Sequence, residues 1–116
     1  MHIQHISAVT LAVQDMERAV TFYRTIGFEL LHGGETATFT TFRGGEGFLN
    51  LMLVPSHRPN WWGRLILRVE EVDRLYETLI ASGQHPEPPR NGSWGERYFH
   101  LTDPDGHELS FAQLIR

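Results

Sequence analysis

The sequence predicts an α+β protein of two βαβββ modules in tandem, forming a curved mixed sheet around a cavity with the helices on the outer face. The main observation is an internal repeat: residues 13–18, VQDMER, align with residues 69–74, VEEVDR, and the same alignment places Gly27 on Gly83. Each half also shows an alternating apolar strand pattern, an amphipathic helix pattern, a glycine and further strand patterns, in that order. The two halves therefore follow one structural plan.

The length and composition fit a small soluble protein. The 116 residues suit a single domain at 1–116, with module one at 1–56 and module two at 62–116. A net charge of -4 argues against nucleic-acid binding, which favours a basic face. The absence of cysteine excludes disulfides and thiolate chemistry. The N-terminus lacks a signal-peptide pattern and no apolar run approaches the ~20 residues of a membrane span, so we expect a cytoplasmic protein without membrane partners.

Module one begins with an alternating strand at 8–13, followed by a helix that Asp15 is predicted to cap. Gly27 is predicted to end this helix in the left-handed conformation. Glycine pairs then separate the remaining strands into hairpins. The apolar face of the helix carries Met16, Ala19, Val20, Tyr23 and Ile26. The three strands are predicted at 28–33, 37–43 and 48–54.

Module two repeats this order from a strand at 64–69, and Gly83 is predicted to end its helix. The stretch 85–89 is rich in proline, which cannot donate to a central ladder, and is therefore predicted as an edge strand. The turn residues of 103–106, DPDG, favour a tight connection between the last two strands. The helix face carries Val72, Leu75, Tyr76, Leu79 and Ile80. The last two strands are predicted at 97–102 and 108–114.

Strand alternation predicts which side chains face away from the helices. These residues mix apolar, aromatic and hydrogen-bonding groups, as small-molecule sites do. The same mixture suits a face covered by a partner subunit, and a homodimer satisfies both interpretations. The loop residues Trp61 and Trp62 suit either such an interface, which is slightly favoured, or stacking on a flat ligand, and Trp94 is assigned to the ligand groove. The predicted ligand-binding residues are Phe48, Asn50, Met52, Arg64, Ile66, Arg68, Trp94, Tyr98, His100 and Ser110.

Several other polar residues are candidates for binding or catalysis. The seven histidines form no spaced metal motif; we interpret His100 as a hydrogen-bonding residue of the cavity and expect His107, beside the turn, to be solvated. Arg64 is open to two interpretations, an anion-binding residue or an ion-pair partner of Glu108. Arg97 is assigned to a structural ion pair. No nucleophile and base with a third orienting group is evident, so catalytic residues remain unassigned.

Residues 94–106, WGERYFHLTDPDG, resemble the W-G-x-R-x-F-x-x-x-D-P-D-G signature of the vicinal oxygen chelate superfamily. This superfamily groups glyoxalase I, extradiol dioxygenases, fosfomycin-resistance enzymes and bleomycin-resistance proteins. The opening strand at 8–13 with Asp15, and FY before GF at 22–28, match it as well. The likeness covers nearly the whole chain and implies paired βαβββ modules whose ligand sites usually close in a dimer.

The resemblance also bears on metal binding. Metal-using members carry His, Glu, His or Gln, and Glu at four strand positions. Alanine has no donor atom, asparagine and serine are weak ligands, and a guanidinium repels a dication. The resemblance therefore implies that no divalent metal or other cofactor is bound. The residues at the four positions are Ala8, Asn50, Arg64 and Ser110.

The bleomycin-resistance proteins are the branch without metal, and Ser7-Ala8-Val9 is similar to their first strand. The resemblance thus implies metal-independent sequestration of an aromatic, drug-like molecule in a groove at a dimer interface, rather than catalysis. Two alternatives stay open. One is a metal-dependent glyoxalase- or dioxygenase-like lyase or isomerase with a non-standard site. The other is a metal-free enzyme or small-molecule sensor that uses Arg64 and His100 as polar handles.

Overall fold

The computed structural model describes residues 2–116, in two compact units that meet in sequence between Arg58 and Pro59. Each unit contains one helix and one four-stranded mixed sheet, in the order βαβββ. The predicted α+β class with tandem βαβββ modules is confirmed, and the strands are grouped into one sheet per unit. No helix within residues 2–116 combines the length and apolar character needed to cross a membrane.

The first unit has the sheet order β1-β4-β3-β2. Its first and last strands, β1 and β4, pair in parallel, and β3 runs antiparallel to both β4 and β2. A parallel pair needs a long crossover, which the intervening helix and hairpin provide. The elements are β1 (Ala8–Val13), α1 (Met16–Thr25), β2 (Glu29–His32), β3 (Phe39–Gly44) and β4 (Gly47–Leu53).

The second unit has the corresponding order β5-β8-β7-β6. Again the first and last strands, β5 and β8, are parallel, and β7 is antiparallel to β8 and β6. The strand β8 begins and ends at the predicted residues. The elements are β5 (Arg64–Arg68), α2 (Val72–Ala81), β6 (Arg90–Asn91), β7 (Glu96–Thr102) and β8 (Glu108–Leu114).

The predicted edge strand at 85–89 is wrong, because the edge strand β6 begins only at Arg90. Three of the five residues at 85–89 are prolines, which lack the N–H that a ladder requires. The backbone N–H of Glu87 nevertheless donates to the carbonyl of His100 at 3.2 Å. The segment therefore runs beside β7 without joining its ladder.

The two helices begin by different means. Asp15 caps α1 as predicted, because its Oδ1 accepts from the backbone N–H of Arg18 at 3.1 Å. Glu71 precedes α2 but makes no side-chain capping bond. Instead, the backbone N–H of Val72 donates to Oε1 of Gln113, on β8, at 2.8 Å. The second helix start is thus satisfied from the sheet.

The two helices end in the same way, as the sequence predicts. Gly27 and Gly83 have φ values of 113° and 92°, in the left-handed region that favours glycine. Just beyond Gly27, the N–H of Phe28 returns to the carbonyl of Tyr23 at 3.0 Å, and the equivalent bond in the second unit measures 2.9 Å. These bonds satisfy carbonyls that a helix end leaves free.

Each unit buries its apolar residues between the helix and the adjacent face of its sheet. The burial follows the predicted alternation: Leu49 and Leu51 are buried, whereas Phe48 and Met52 are 39% and 44% exposed. In the second unit the rings of Phe99 and Phe111 stack, with their centroids 5.0 Å apart. The buried sheet residues of that unit include Phe99, Leu101, Leu109 and Phe111. Each sheet consequently has one face free for other contacts.

Candidate functional site

The centre of the open face of the second sheet is a hydrogen-bonded cluster of Arg64, His100 and Ser110. The strand β8 lies between β5 and β7, and the register places His100 directly opposite Ser110. The Nδ1 of His100 lies 2.6 Å from Oγ of Ser110. The Nη1 of Arg64 lies 3.0 Å from Nε2 and 3.1 Å from Nδ1 of the same ring. The fold thus brings three of the predicted site residues into contact.

The protonation of this cluster follows from its surroundings. Burial lowers the pKa of His100 below its ordinary value of 6.5, and the positive charge of Arg64 lowers it further, against the opposing charges of Glu87 and Glu108. A neutral imidazole donates from one ring nitrogen and accepts at the other, so the tautomer of His100 decides its role toward Ser110 and Arg64. Ser110 is only 3% exposed, which argues against its use as a nucleophile.

The contacts of Arg64 bear on its two interpretations, as an anion-binding residue or as an ion-pair partner of Glu108. Its Nη2 lies 3.6 Å from Oε1 of Glu108, beyond hydrogen-bond distance, so the ion pair is loose. The other oxygen of Glu108 accepts from the hydroxyl of Thr102 at 2.8 Å. The guanidinium carbon of Arg64 lies 5.6 Å from the ring centroid of Trp61. The buried Nε of Arg64 has no hydrogen-bond acceptor within the described part of the chain. The Nη2 of Arg64 therefore lacks a close acceptor, whereas its Nε is shielded from solvent.

A cavity of about 410 Å³ opens beside this cluster, within the second unit. Its lining includes two arginines, two glutamates and two histidines, and is therefore strongly polar. The segment 85–89, which was predicted as a strand, supplies one wall. The lining residues are Arg64, His85, Glu87, Arg90, His100, Leu101, Thr102 and Glu108.

An aromatic row extends from the cluster along β7 to the preceding loop. The rings of Tyr98 and His100 lie 5.2 Å apart, and Trp94 lies 5.2 Å from Tyr98 at an interplanar angle of 33°. Glu96 fixes one end, because its Oε1 accepts from Nε1 of Trp94 at 2.6 Å and its Oε2 from Nη2 of Arg68 at 2.8 Å. The indole of Trp94 nevertheless remains 62% exposed. Glu96 was absent from the predicted site, although it holds two of its members.

The open face of the first sheet carries a neutral polar centre. Oδ1 of Asn50 accepts from the hydroxyl of Thr41 at 2.8 Å, and its Nδ2 donates to the hydroxyl of Thr10 at 3.2 Å. Phe48 and Met52 lie two residues to either side on β4 and expose their side chains. The three predicted residues of this unit therefore share one face. Neither threonine was among the predicted ligand-binding residues, although strand alternation places Thr10 on this face and the register accounts for Thr41.

One prediction about the histidines is wrong. His107 was expected to be solvated but is only 4% exposed. Its Nδ1 accepts from Nε1 of Trp62 at 2.7 Å, and its backbone N–H donates to Oδ1 of Asp103 at 2.8 Å. The same carboxylate oxygen accepts from the N–H of Asp105 at 2.9 Å. The tight turn and the indole together enclose the imidazole, which local turn chemistry did not reveal.

Arg97 forms the structural ion pair that the sequence predicts. Its Nε and Nη2 donate to the carboxylate of Asp73 at 3.0 and 2.9 Å, and its Nη1 donates to Oδ1 of Asn91 at 3.1 Å. The hydrogen bond from Arg97 holds the pKa of Asp73 below its ordinary value. The signature arginine thus joins β7 to the first turn of α2 and takes no part in the open face.

Each unit thus combines the βαβββ order with an open sheet face that carries polar side chains at its centre. The chain matches the model of the Glyoxalase/Bleomycin resistance protein/Dioxygenase superfamily over residues 2–111. The protein belongs to this superfamily, as the sequence signature indicated.

Three solved structures illustrate the range of this likeness. TnmS3, an antibiotic-binding protein from Streptomyces sp. CB03234, is 31% identical, with 98% of both chains covered and a TM-score of 0.81. A bleomycin-binding protein complexed with bleomycin is 22% identical over 96% of this chain and 98% of its own, with a TM-score of 0.77. Lactoylglutathione lyase from Agrobacterium tumefaciens is 20% identical over 96% and 94%, with a TM-score of 0.79. The last two share the fold, which does not settle function.

Neither unit offers a fitting donor set at the positions that the resemblance assigns to metal ligands. Ala8 has no donor, the amide oxygen of Asn50 already accepts from a threonine, and Oγ of Ser110 is bonded to an imidazole. Arg64 adds a positive charge. Within residues 2–116, no group of three or more His, Asp and Glu side chains is arranged to hold a metal ion. The chemistry of these residues therefore does not fit a divalent cation.

Proposed function

We propose that this protein binds an aromatic, drug-like molecule without a metal ion and acts by sequestering it. The observation that carries the proposal is the contact network of Arg64, His100 and Ser110. This network joins Arg64 and Ser110, two positions that the resemblance assigns to metal ligands, through His100, and it contains a positive charge and no carboxylate. These side chains do not favour the bound metal ion that a Lewis-acid mechanism requires. Ligand binding requires only a complementary shape and a few placed polar groups.

The exposed side chains on the two open faces support an aromatic ligand. Trp94 is held in a defined orientation by Glu96 yet offers most of its indole surface. Phe48, Met52 and Ile66 are 39%, 44% and 63% exposed, and such surface is stabilised when a ligand covers it. Flat aromatic molecules gain additional energy from offset stacking on an indole. The relative at 31% identity is an antibiotic-binding protein, which favours a drug-like ligand.

We also propose that the protein is a homodimer in the cytoplasm. Trp61 and Trp62, 70% and 46% exposed, are the kind of large apolar side chains that subunit interfaces cover. Analytical ultracentrifugation over a wide concentration range tests the assembly, with a dimer mass expected at micromolar concentration. A monomer mass throughout would contradict the dimer. Cell fractionation tests the compartment.

The decisive experiment is a titration with bleomycin, mitomycin-like quinones and other aromatic drugs, followed by tryptophan fluorescence and calorimetry. We expect saturable binding by at least one compound, and recovery of that compound unchanged on mass spectrometry. Binding that survives extensive treatment with a chelator supports metal independence. No response to any compound at high micromolar concentration would overturn the proposal.

The same experiment separates sequestration from the metal-dependent lyase or isomerase. Metal analysis of protein purified without chelators is expected to give far less than one equivalent of Zn, Ni, Mn or Fe. One equivalent of metal that survives dialysis, together with chemical conversion of a bound compound, would show that the protein is a metal-dependent enzyme and would overturn sequestration.

A further inference from the structure

We infer that the cavity of the second unit binds a zwitterionic group, meaning a part of a ligand that carries both a carboxylate-type anion and an ammonium. This inference deepens the proposed function and rests on it for its biological meaning, because Arg64 and His100 belong both to the cavity and to the predicted drug site. It specifies a polar appendage of the ligand, next to the surface that the aromatic part would cover.

The first part of the cavity that points to a charged ligand is Arg64. A guanidinium carries five N–H donors. The Nη1 of Arg64 is engaged by His100, its Nη2 approaches Glu108 only to 3.6 Å, and its Nε has no acceptor within residues 2–116. The side chain is 27% exposed, so part of the guanidinium can be reached, although Nε itself is buried. A carboxylate is the group that best satisfies such a planar set of donors.

Arg90 places a second cation on the cavity. Its Nε donates to the hydroxyl of Tyr98 at 2.9 Å, and its guanidinium carbon lies 5.2 Å from the centroid of the same ring. These two contacts orient the guanidinium. No carboxylate among the described residues lies within 4.0 Å of it. The outer nitrogens of Arg90 are therefore available to an anion in the cavity.

The acidic side chains of the lining exclude a simple anion as the best occupant. The carboxylate of Glu87 has no hydrogen-bond or ion-pair partner in the part of the chain that the structure describes. Glu108 is bonded to Thr102 and loosely paired with Arg64. A lone anion would face both carboxylates, and a lone cation would face both guanidinia. A ligand with both charges complements the two signs at once.

The polar lining also argues against a neutral apolar occupant. Leu101 is the apolar member of a lining that otherwise consists of charged, imidazole and hydroxyl side chains. An apolar group would displace water from these polar groups without replacing its hydrogen bonds. The cavity and the exposed indole of Trp94 therefore suit different parts of a ligand.

The test uses the full-length, isotope-labelled protein and a series of simple zwitterions: glycine, γ-aminobutyrate and ε-aminocaproate. Acetate and methylammonium, at equal ionic strength, are the single-charge controls. The readout is the Nε–Hε signals of Arg64 and Arg90 in proton–nitrogen NMR spectra. We expect one zwitterion to shift both signals saturably and to bind about tenfold more tightly than either control. Equal affinity for zwitterions and single charges would overturn the inference.

Two charge-neutral variants sharpen the test. Glu87→Gln is expected to weaken zwitterion binding roughly tenfold while leaving acetate binding unchanged or improved, and Arg90→Gln should weaken both. The matched controls are Glu77→Gln and Arg74→Gln on the exposed face of α2, which should change neither. Circular dichroism confirms that each variant is folded. A Glu87→Gln variant with unchanged zwitterion affinity would contradict the assigned role of the carboxylate.

The outcomes for the inference and for the proposed function are distinguishable. Drug titration by fluorescence and zwitterion titration by NMR are performed on the same protein. If an aromatic drug binds and no zwitterion does, the inference fails and sequestration stands. If a zwitterion binds and no aromatic drug does, sequestration fails and the cavity assignment stands.

Discussion

The two units share the βαβββ order but carry different side-chain chemistry at the centre of the open sheet face. On the open face of each sheet, a residue near the middle of the central strand bonds to the residue opposite it on the antiparallel neighbour. In the first unit the pair is Asn50 and Thr41 at 2.8 Å, and in the second it is Ser110 and His100 at 2.6 Å. The first pair is uncharged at every ordinary pH, whereas the second titrates and contacts a guanidinium. The repeated scaffold fixes the position, and the local residue decides the chemistry.

The largest expected effect concerns what the units share, an apolar core under each sheet. Phe42 and Phe111 are each at most 1% exposed, one in each unit. Replacement of either by alanine is expected to lower the free energy of unfolding by about 3–5 kcal/mol, because a large side chain leaves a cavity. Urea denaturation measures the loss. A difference of more than about 2 kcal/mol between the two variants exceeds the width of this range. It would show that the two cores do not contribute equally to stability.

The next effect tests the assignment of aromatic binding to the second unit. Trp94→Ala is expected to weaken drug binding by roughly tenfold or more, since an exposed, oriented indole supplies a large contact area. Calorimetry measures the affinity independently of tryptophan emission. Phe48→Ala, at one exposed phenylalanine of the first sheet, is the comparison. A larger loss for Phe48→Ala would move the principal contact to the first unit.

The pH dependence of stability should arise from the second unit. Because the folded pKa of His100 lies below its ordinary value of 6.5, the unfolded chain binds more protons in acid. The free energy of unfolding is thus expected to fall as the pH drops below about 6.5 toward the folded pKa. His100→Gln should reduce this slope, whereas Thr41→Val, at the equivalent place in the first unit, should leave it unchanged. Chemical denaturation at several pH values checks both, and equal slopes in all three proteins would contradict the assignment.

The smallest effects distinguish the two helix starts. Asp15→Ala is expected to cost about 1 kcal/mol, since it removes the cap of α1. Gln113→Ala should cost a similar amount by removing the acceptor of the Val72 N–H. Glu71→Ala, at the cap position itself, should change stability little because it makes no capping bond. Thermal unfolding measures all three, and a larger loss for Glu71→Ala than for Gln113→Ala would reverse the comparison.

Local chemistry explains why most of the fold was predictable. Alternation, the Asp15 cap and the two helix-terminating glycines act within a few residues, and the structure agrees with each of them. The signature at 94–106 was sufficient to identify the superfamily. The same alternation placed the side chains of Arg64, His100 and Ser110 on one face, although it did not reveal their mutual contacts.

What the sequence did not reveal depends on partners distant along the chain. The burial of His107 requires the indole of Trp62, and the start of α2 requires an amide from β8. Glu96 accepts hydrogen bonds from Trp94, in a loop, and from Arg68, on β5. Strand alternation alone does not predict this connection. Local patterns therefore located the open face, and long-range side-chain contacts determined its detailed geometry.

The shared carboxylate of Glu96 has a consequence for redesign. Because one oxygen holds the indole of Trp94 and the other holds the guanidinium of Arg68, the three side chains behave as a linked set. Exchanging the tryptophan alone would leave Oε1 of Glu96 without its donor and would disturb the carboxylate that also holds Arg68, on β5. A library that aims to change ligand preference should therefore vary positions 94, 96 and 68 together.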